Sequence, residues 1–547
     1  MRTRARIPAL CALTIAVGLV SGAAAQEQAE TLRLTLDDAV ERALQTNADI
    51  AVERYNPEIS AESVRAAEGY YDPLFFANLS RNSTDTKGTN IFAGGDTINT
   101  KQIVWNFGIQ APVKTGAELE LRFNNNKRDT DNTFVTFNPT FNSFLSIGLT
   151  QPLLKNFRID APRQQLRLAK INREISDITF RQTIINTVAN VKFYYYDLIS
   201  AIDNLEAARK SLDLAKKLLG ENEIRVKVGT MAPLDVVTAR SEVAAREEGV
   251  IVAENAVAEA EDSLKRAVFP ENDPRMWHTR IVLLDRPSAA PMPVDIDGAV
   301  QNALDSRTDV TSARKSLERS DVSVQYRKNQ LLPQVDLVAN YGGSGAGGTE
   351  IIRDDPFGPP VGTIPGGYGD AVSEVFGRDF PTWTIGVNFS YAVPNRSQKA
   401  AAAQAQLSKE QALASLRRLE LQVAAEVRTA GRAVESGIKR VASTRAAREL
   451  AAERLDAEEK KFAAGMSTNY LVTQAQRDLA VQEVNEIRAV ADYAKSVVNF
   501  QRVQEAGLSG SGAVAVLGGS GAQSSQALQS SAAASSVTQS TSGGLQF

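Results

Sequence analysis

Scarcity narrows the chemistry before any motif does. The chain carries one cysteine and one histidine among its 547 residues. Cys11 falls inside an apolar run near the N-terminus, and His278 stands by itself in a connector. Such a chain offers no disulfide framework, no thiolate nucleophile and no cluster of His and Cys ligands for a metal. Nothing calls for a cofactor. The glycine-rich stretches 342–348 and 358–369 lack the Lys-Ser/Thr ending of a phosphate cradle, and read as loops that precede no helix. Paired carboxylates are plentiful, but a solvated coiled-coil face accounts for them.

Excess charge of one sign is also missing. Lys and Arg number 61 against 64 Asp and Glu, a net of −3, so no bulk attraction draws the chain to nucleic acid. Residues 1–25 read as a secretory signal, with Arg2, Arg4 and Arg6, an apolar run from Ile7 to Val20, and Ala23-Ala24-Ala25 before Gln26. Beyond it no stretch approaches the roughly 18 consecutive apolar residues of a spanning helix. That leaves a β-barrel open as a way to cross a membrane.

What is present falls into two textures. From Leu34 to about Gly69 the pattern is helical, with Thr35 as cap and Pro57 as a break or restart. Pro73 opens period-two alternation in four segments: Phe75 to Leu79, Ile103 to Ile109, Leu119 to Phe123 and Leu145 to Leu149. Polar stretches 81–100 and 124–142 read as the loops between them. Aromatic-rich alternation with long polar loops fits an outer-membrane barrel or a soluble β-sandwich. After Pro152 and Pro162 a helical period runs on for about 60 residues, a length of roughly 90 Å. Gly229 ends it. With Thr230 as cap and Pro233 in its first turn, a return helix runs to about Val268. Val236, Val243, Val250, Val257 and Leu264 recur every seventh residue on it, each followed three positions on by Ala239, Arg246, Ala253, Ala260 and Ala267. This is a heptad seam narrow enough for close helix approach.

The plan then repeats. Residues 32–269 form a first unit, with strands at about 74–151 and a hairpin at about 163–268. A connector at 270–293 leads to a second unit at 294–506, with strands at about 334–391 and a hairpin at about 397–506. Asp297-Gly298-Ala299-Val300 echoes Asp38-Ala39-Val40, Pro333 answers Pro73, and Gly465 breaks the second long helix as Gly229 breaks the first. The second unit shows two clear strands where the first shows four. Residues 507–547, rich in Gly, Ser, Ala and Gln, read as a disordered tail.

Four to six strands are too few to close even the smallest barrel of eight, and an open strand edge is forbidden in lipid. Long amphipathic hairpins make the same demand for neighbours. The layout, the Gly229 and Gly465 turns, the Ile147-Gly148-Leu149-Thr150-Gln151-Pro152 strand exit and the duplication resemble the TolC-type outer-membrane efflux protein family across about residues 32–506. The resemblance implies an α+β membrane protein: a twelve-stranded β-barrel, shared by a homotrimer, continuous with a long periplasmic α-helical coiled-coil barrel. It implies a passive duct rather than an enzyme, set in the outer-membrane lipid of a Gram-negative type cell. Its partners would be a periplasmic adaptor (membrane-fusion) protein and an inner-membrane efflux pump or ABC exporter, in multidrug efflux or type I secretion.

The resemblance also assigns sites. Adaptor docking falls on the tips Val228-Gly229-Thr230 and Ala464-Gly465-Met466. The periplasmic aperture falls on Asp235, Phe462, Leu471 and Gln474, with Ser467 in place of an arginine found in some relatives. A ring of Asp235 carboxylates would favour cations; alternatively Asp235 serves the positive end of its own helix. The extra strands at 103–123 either enlarge the barrel or fold outside it. Two rival readings are a periplasmic adaptor, which would carry one hairpin between soluble β-domains, and a coiled-coil protein without a pore.

Overall fold

A computed structural model describes residues 31–89, 95–270, 273–355 and 358–505. The expected leader at 1–25 and tail at 507–547 lie outside the described residues. The first unit begins with a short strand β1 (Thr31–Leu34) and three helices, α1 (Leu36–Thr46), α2 (Ala48–Glu53) and α3 (Tyr55–Glu68). Thr35 caps α1 as expected, in a reciprocal box with Asp38. The single helix expected here is split at Asn47, whose side-chain oxygen accepts from the Asp49 amide at 3.0 Å and so starts α2. Pro57 restarts rather than breaks, sitting in the first turn of α3.

Four strands follow: β2 (Leu74–Lys87), β3 (Thr97–Pro112), β4 (Glu118–Thr130) and β5 (Phe137–Pro152). They are longer than the alternation predicts. Residues 81–87 and 124–130, expected as loops, continue the ladders with polar side chains on both faces. Alternation is lost there because neither face needs to be apolar, while backbone pairing carries on regardless. The long helix α4 (Ala161–Lys227) spans 67 residues, about 100 Å at the α-helical rise. Its hairpin partner α5 (Pro233–Val268) presents the whole heptad seam to cover: Ala239, Leu264 and Ala267 are buried and the other seam positions half-buried.

The connector contributes β6 (Arg280–Leu283), which pairs with β1 in parallel. The second unit comprises α6 (Ile296–Ser306), α7 (Thr308–Asn329), β7 (Gln334–Ile352), β8 (Gly362–Ile364), α8 (Tyr368–Gly377), β9 (Phe380–Ser390), α9 (Arg396–Ala463) and α10 (Asn469–Gln504). Here the glycine readings need correction. Residues 342–348 lie within β7, and the 358–369 stretch does precede a helix, α8. Helix α8 lies over β7 because glycine leaves room for it. A Cβ at Gly345 would collide with the Ala371 carbonyl, and one at Gly347 would stand 2.5 Å from that of Gly367.

One sheet unites the two units, in the order β2-β3-β4-β5-β7, with β9 pairing the near end of β7 and β8 its far end. All its ladders are antiparallel. Beneath it, α3, α4, α7 and α9 pack side by side near the strands, and α5, α4, α10 and α9 do so toward the hairpin tips. The core lies between these helices. Tyr195 and Tyr493, almost fully buried, donate their hydroxyls to Leu34 O at 3.2 Å and Ala290 O at 2.7 Å, tying β1 to α4 and the connector to α10.

Candidate functional site

The two hairpin tips are built by one device used twice. At the end of α4 the Gly229 amide donates to Val226 O (3.0 Å) and the Thr230 amide to Arg225 O (2.9 Å). At the end of α9 the Gly465 amide donates to Phe462 O (3.1 Å) and the Met466 amide to Lys461 O (2.9 Å). This is the Schellman closure, which needs a left-handed residue; Gly229 has φ +82° and Gly465 φ +74°. Thr230 does not cap α5 as expected. Its hydroxyl donates back to Arg225 O at 3.1 Å, and Ala232 occupies the cap position.

Beneath the turns the hairpins are bolted together. Leu218 of α4 joins Leu455, Phe462, Val472, Ala475 and Leu479 in one apolar cluster. Phe462 is 4% exposed, with the Arg225 guanidinium 4.3 Å over its ring and donating to its carbonyl at 3.3 Å. It is thus a core residue of the single copy. Asn222 donates to Asn469 at 2.8 Å in a buried pair, and Asn469 reaches the Asp235 carbonyl at 3.5 Å. Glu242 of α5, its side chain 8% exposed, is gripped by Arg246 one turn on and by Arg477 of α10. The Arg477 hydrogen bonds hold its carboxyl below the usual glutamate range, against a burial that would raise it. In the turn after α9, Ser467 donates to Glu458 of that helix, which also pairs with Lys461 at 3.3 Å; the Ser467 bond is the main cause of a lowered Glu458 carboxyl.

The remaining sequence-assigned residues sit at the surface of this block. Val228, Gly229, Thr230, Ala464, Gly465 and Met466 are all exposed. Asp235 is half-buried in the first turn of α5, Leu471 is exposed, and half-buried Gln474 leans on Asp478 at 3.5 Å. Sequence reasoning missed Asn222, Arg225, Glu242, Asn469 and Arg477. One signal was available: Arg246 is the single charge in the alanine positions of the α5 seam, and its partner is the buried Glu242. Among the described residues no cluster of metal-binding side chains occurs, and no helix is long and apolar enough to cross a membrane.

Comparison with known proteins gives the arrangement a lineage. A search of curated proteins finds no significant sequence match. Solved structures share the fold at low identity. The outer-membrane channel OprN is 16% identical with a TM-score of 0.62, over 86% of this chain and 90% of its own. The Campylobacter jejuni outer-membrane channel CmeC is 15% identical with a TM-score of 0.59, over 86% and 85%. The Vibrio cholerae outer-membrane protein VceC is 14% identical with a TM-score of 0.58, over 86% and 96%. The sequence profile described as outer membrane efflux protein matches residues 39–268 and 299–503, the two units in turn. This chain belongs to the outer membrane efflux protein family.

Proposed function

We propose that three copies close into one passive conduit, a β-barrel in the outer membrane standing on a helical tube in the periplasm of a Gram-negative type cell. One observation carries this reading: among the described residues the single copy leaves apolar helix flanks, an apolar sheet face and both outer sheet edges without a neighbour. The sheet has one face lined by apolar residues and two free edges, and the outermost helices α5 and α9 leave Ile251, Val252, Leu407, Leu421 and Leu450 exposed. Ring closure covers these flanks together.

The tips then form the periplasmic mouth, with Val228-Gly229-Thr230 and Ala464-Gly465-Met466 offered to a periplasmic adaptor. An inner-membrane efflux pump or ABC exporter supplies the energy, in multidrug efflux or type I secretion. Asp235, Leu471 and Gln474 approach the aperture, with Phe462 supporting it from the core. A rival adaptor role fits poorly, because the chain has two hairpins joined to one membrane-type sheet. Detergent-extracted protein should sediment as a trimer and conduct ions across a planar bilayer. A water-soluble monomer that conducts nothing would overturn the proposal.

A further inference from the structure

The family resemblance implies twelve strands in a trimer, hence four from each copy. This chain has six. Strands β3 and β4, residues 97–130, are intercalated between β2 and β5 along their whole length. They share the register of the flanking strands: Phe75, Ile109, Leu121, Ile147, Tyr341 and Trp383 form one unbroken row of partners from β2 to β9. All six residues are exposed, and all are apolar or aromatic. The next row, on the opposite face, reads Leu74, Gln110, Glu120, Gly148, Asn340 and Thr384. The inserted pair therefore has the same apolar and polar faces, at the same height, as the strands that lead into helices.

The turn joining β3 to β4 is fastened to the helical part. Arg163, in the first turn of α4, donates to Lys114 O at 3.3 Å and Phe157 O at 2.8 Å, and pairs with Asp160 at 3.0 Å. Gly116 turns there at φ +87°, where a Cβ would stand 2.6 Å from the Arg163 guanidinium. Widths agree as well. Six strands spaced about 4.8 Å and tilted about 40° span about 38 Å. The four helices below, at 8–10 Å spacing, span about 32–40 Å.

The geometry points to a wall in which each copy contributes six strands and the free edge of β2 pairs with β9 of the next copy. β2 runs away from the helices and β9 toward them, so this contact is antiparallel and the alternation continues around the ring. Resting on the trimer proposed above, the barrel has eighteen strands. Diameter grows with strand number, so the bore through the membrane is about half again as wide as a twelve-stranded one.

Cryo-electron microscopy of the full-length protein in detergent tests this, because copy number and strands per copy are read separately. Six strands per copy with β2 laddered to the neighbouring β9 is the expected result. Residues 97–130 lying outside the wall, with β2 paired to β5, would overturn it; a ring of other than three copies would instead overturn the trimer. Labelling gives a second readout. With Cys11 replaced, Asn124→Cys should react with a charged thiol reagent from the lumen and Leu121→Cys should not. Equal reaction at both would place β4 outside the wall.

Discussion

Arg477 reaches from the second hairpin to hold the carboxylate of Glu242 in the first, its Nε lying 3.2 and 3.1 Å from the two oxygens. The two residues are 235 positions apart, and the bond is the charged link between α5 and α10 beneath the tips. Arg477→Ala leaves Glu242 buried with Arg246 alone and should cost about 1–3 kcal/mol. The pH dependence follows from the lowered carboxyl. Its stabilisation is present above the ordinary glutamate value of 4.5 and is lost as pH falls through the lowered folded value. Urea unfolding of wild type and Glu242→Gln from pH 7 to pH 3 should therefore converge on the acid side. Parallel curves across that range would count against the link.

Asp235 separates two roles by experiment. As part of an aperture ring, Asp235→Ala should weaken cation selectivity and block by divalent ions in single-channel recordings. As a helix-end charge, the same change should cost about 0.3–1 kcal/mol of stability and leave conduction unaltered. The aperture role is the one proposed here, and unchanged selectivity would remove it.

How much was legible in advance depended on whether a signal was local. Gly229, Pro233 and Gly465 mark turns by their own backbone preferences, so the hairpin ends fall where the sequence places them. The valine-alanine seam of α5 is likewise a local period, and all ten positions are covered. Strand ends were not legible, because residues 81–87 and 124–130 are polar on both faces and alternate in nothing a reader can see. Helix α8 escaped notice because its reason lies on another element, the stripe of Gly343, Gly345 and Gly347 on which it rests. The Glu242–Arg477 bond had no local trace beyond Arg246. Tertiary partners hundreds of residues apart leave no period.

The tip glycines should be needed for backbone reasons alone. Nothing lies within 4 Å of a Cβ built on Gly229 or Gly465, so a methyl group meets no atom. The left-handed conformation still penalises it by roughly 1–2 kcal/mol. Gly229→Ala and Gly465→Ala should each lower stability by that order in chemical denaturation, additively in the double variant. Gly229→Asn should lose less, since asparagine tolerates this region. A neutral Gly229→Ala would mean the turn relaxes to another closure.

Docking of α8 on the sheet supplies the last test. Tyr368 donates its hydroxyl to Asn125 at 2.9 Å and stacks edge-on with Trp105 at 5.2 Å, while Ala371 and Val375 are buried over the glycine stripe. Gly345→Val puts side-chain atoms where the Ala371 carbonyl lies, so α8 must lift away while the β7 ladders persist. Tyr368→Phe keeps the ring and loses one hydrogen bond, about 1 kcal/mol. Limited proteolysis with a broad-specificity protease should cut residues 366–379 readily in Gly345→Val and little faster than wild type in Tyr368→Phe. Equal protection in Gly345→Val and wild type would show that the glycine stripe does not seat the helix.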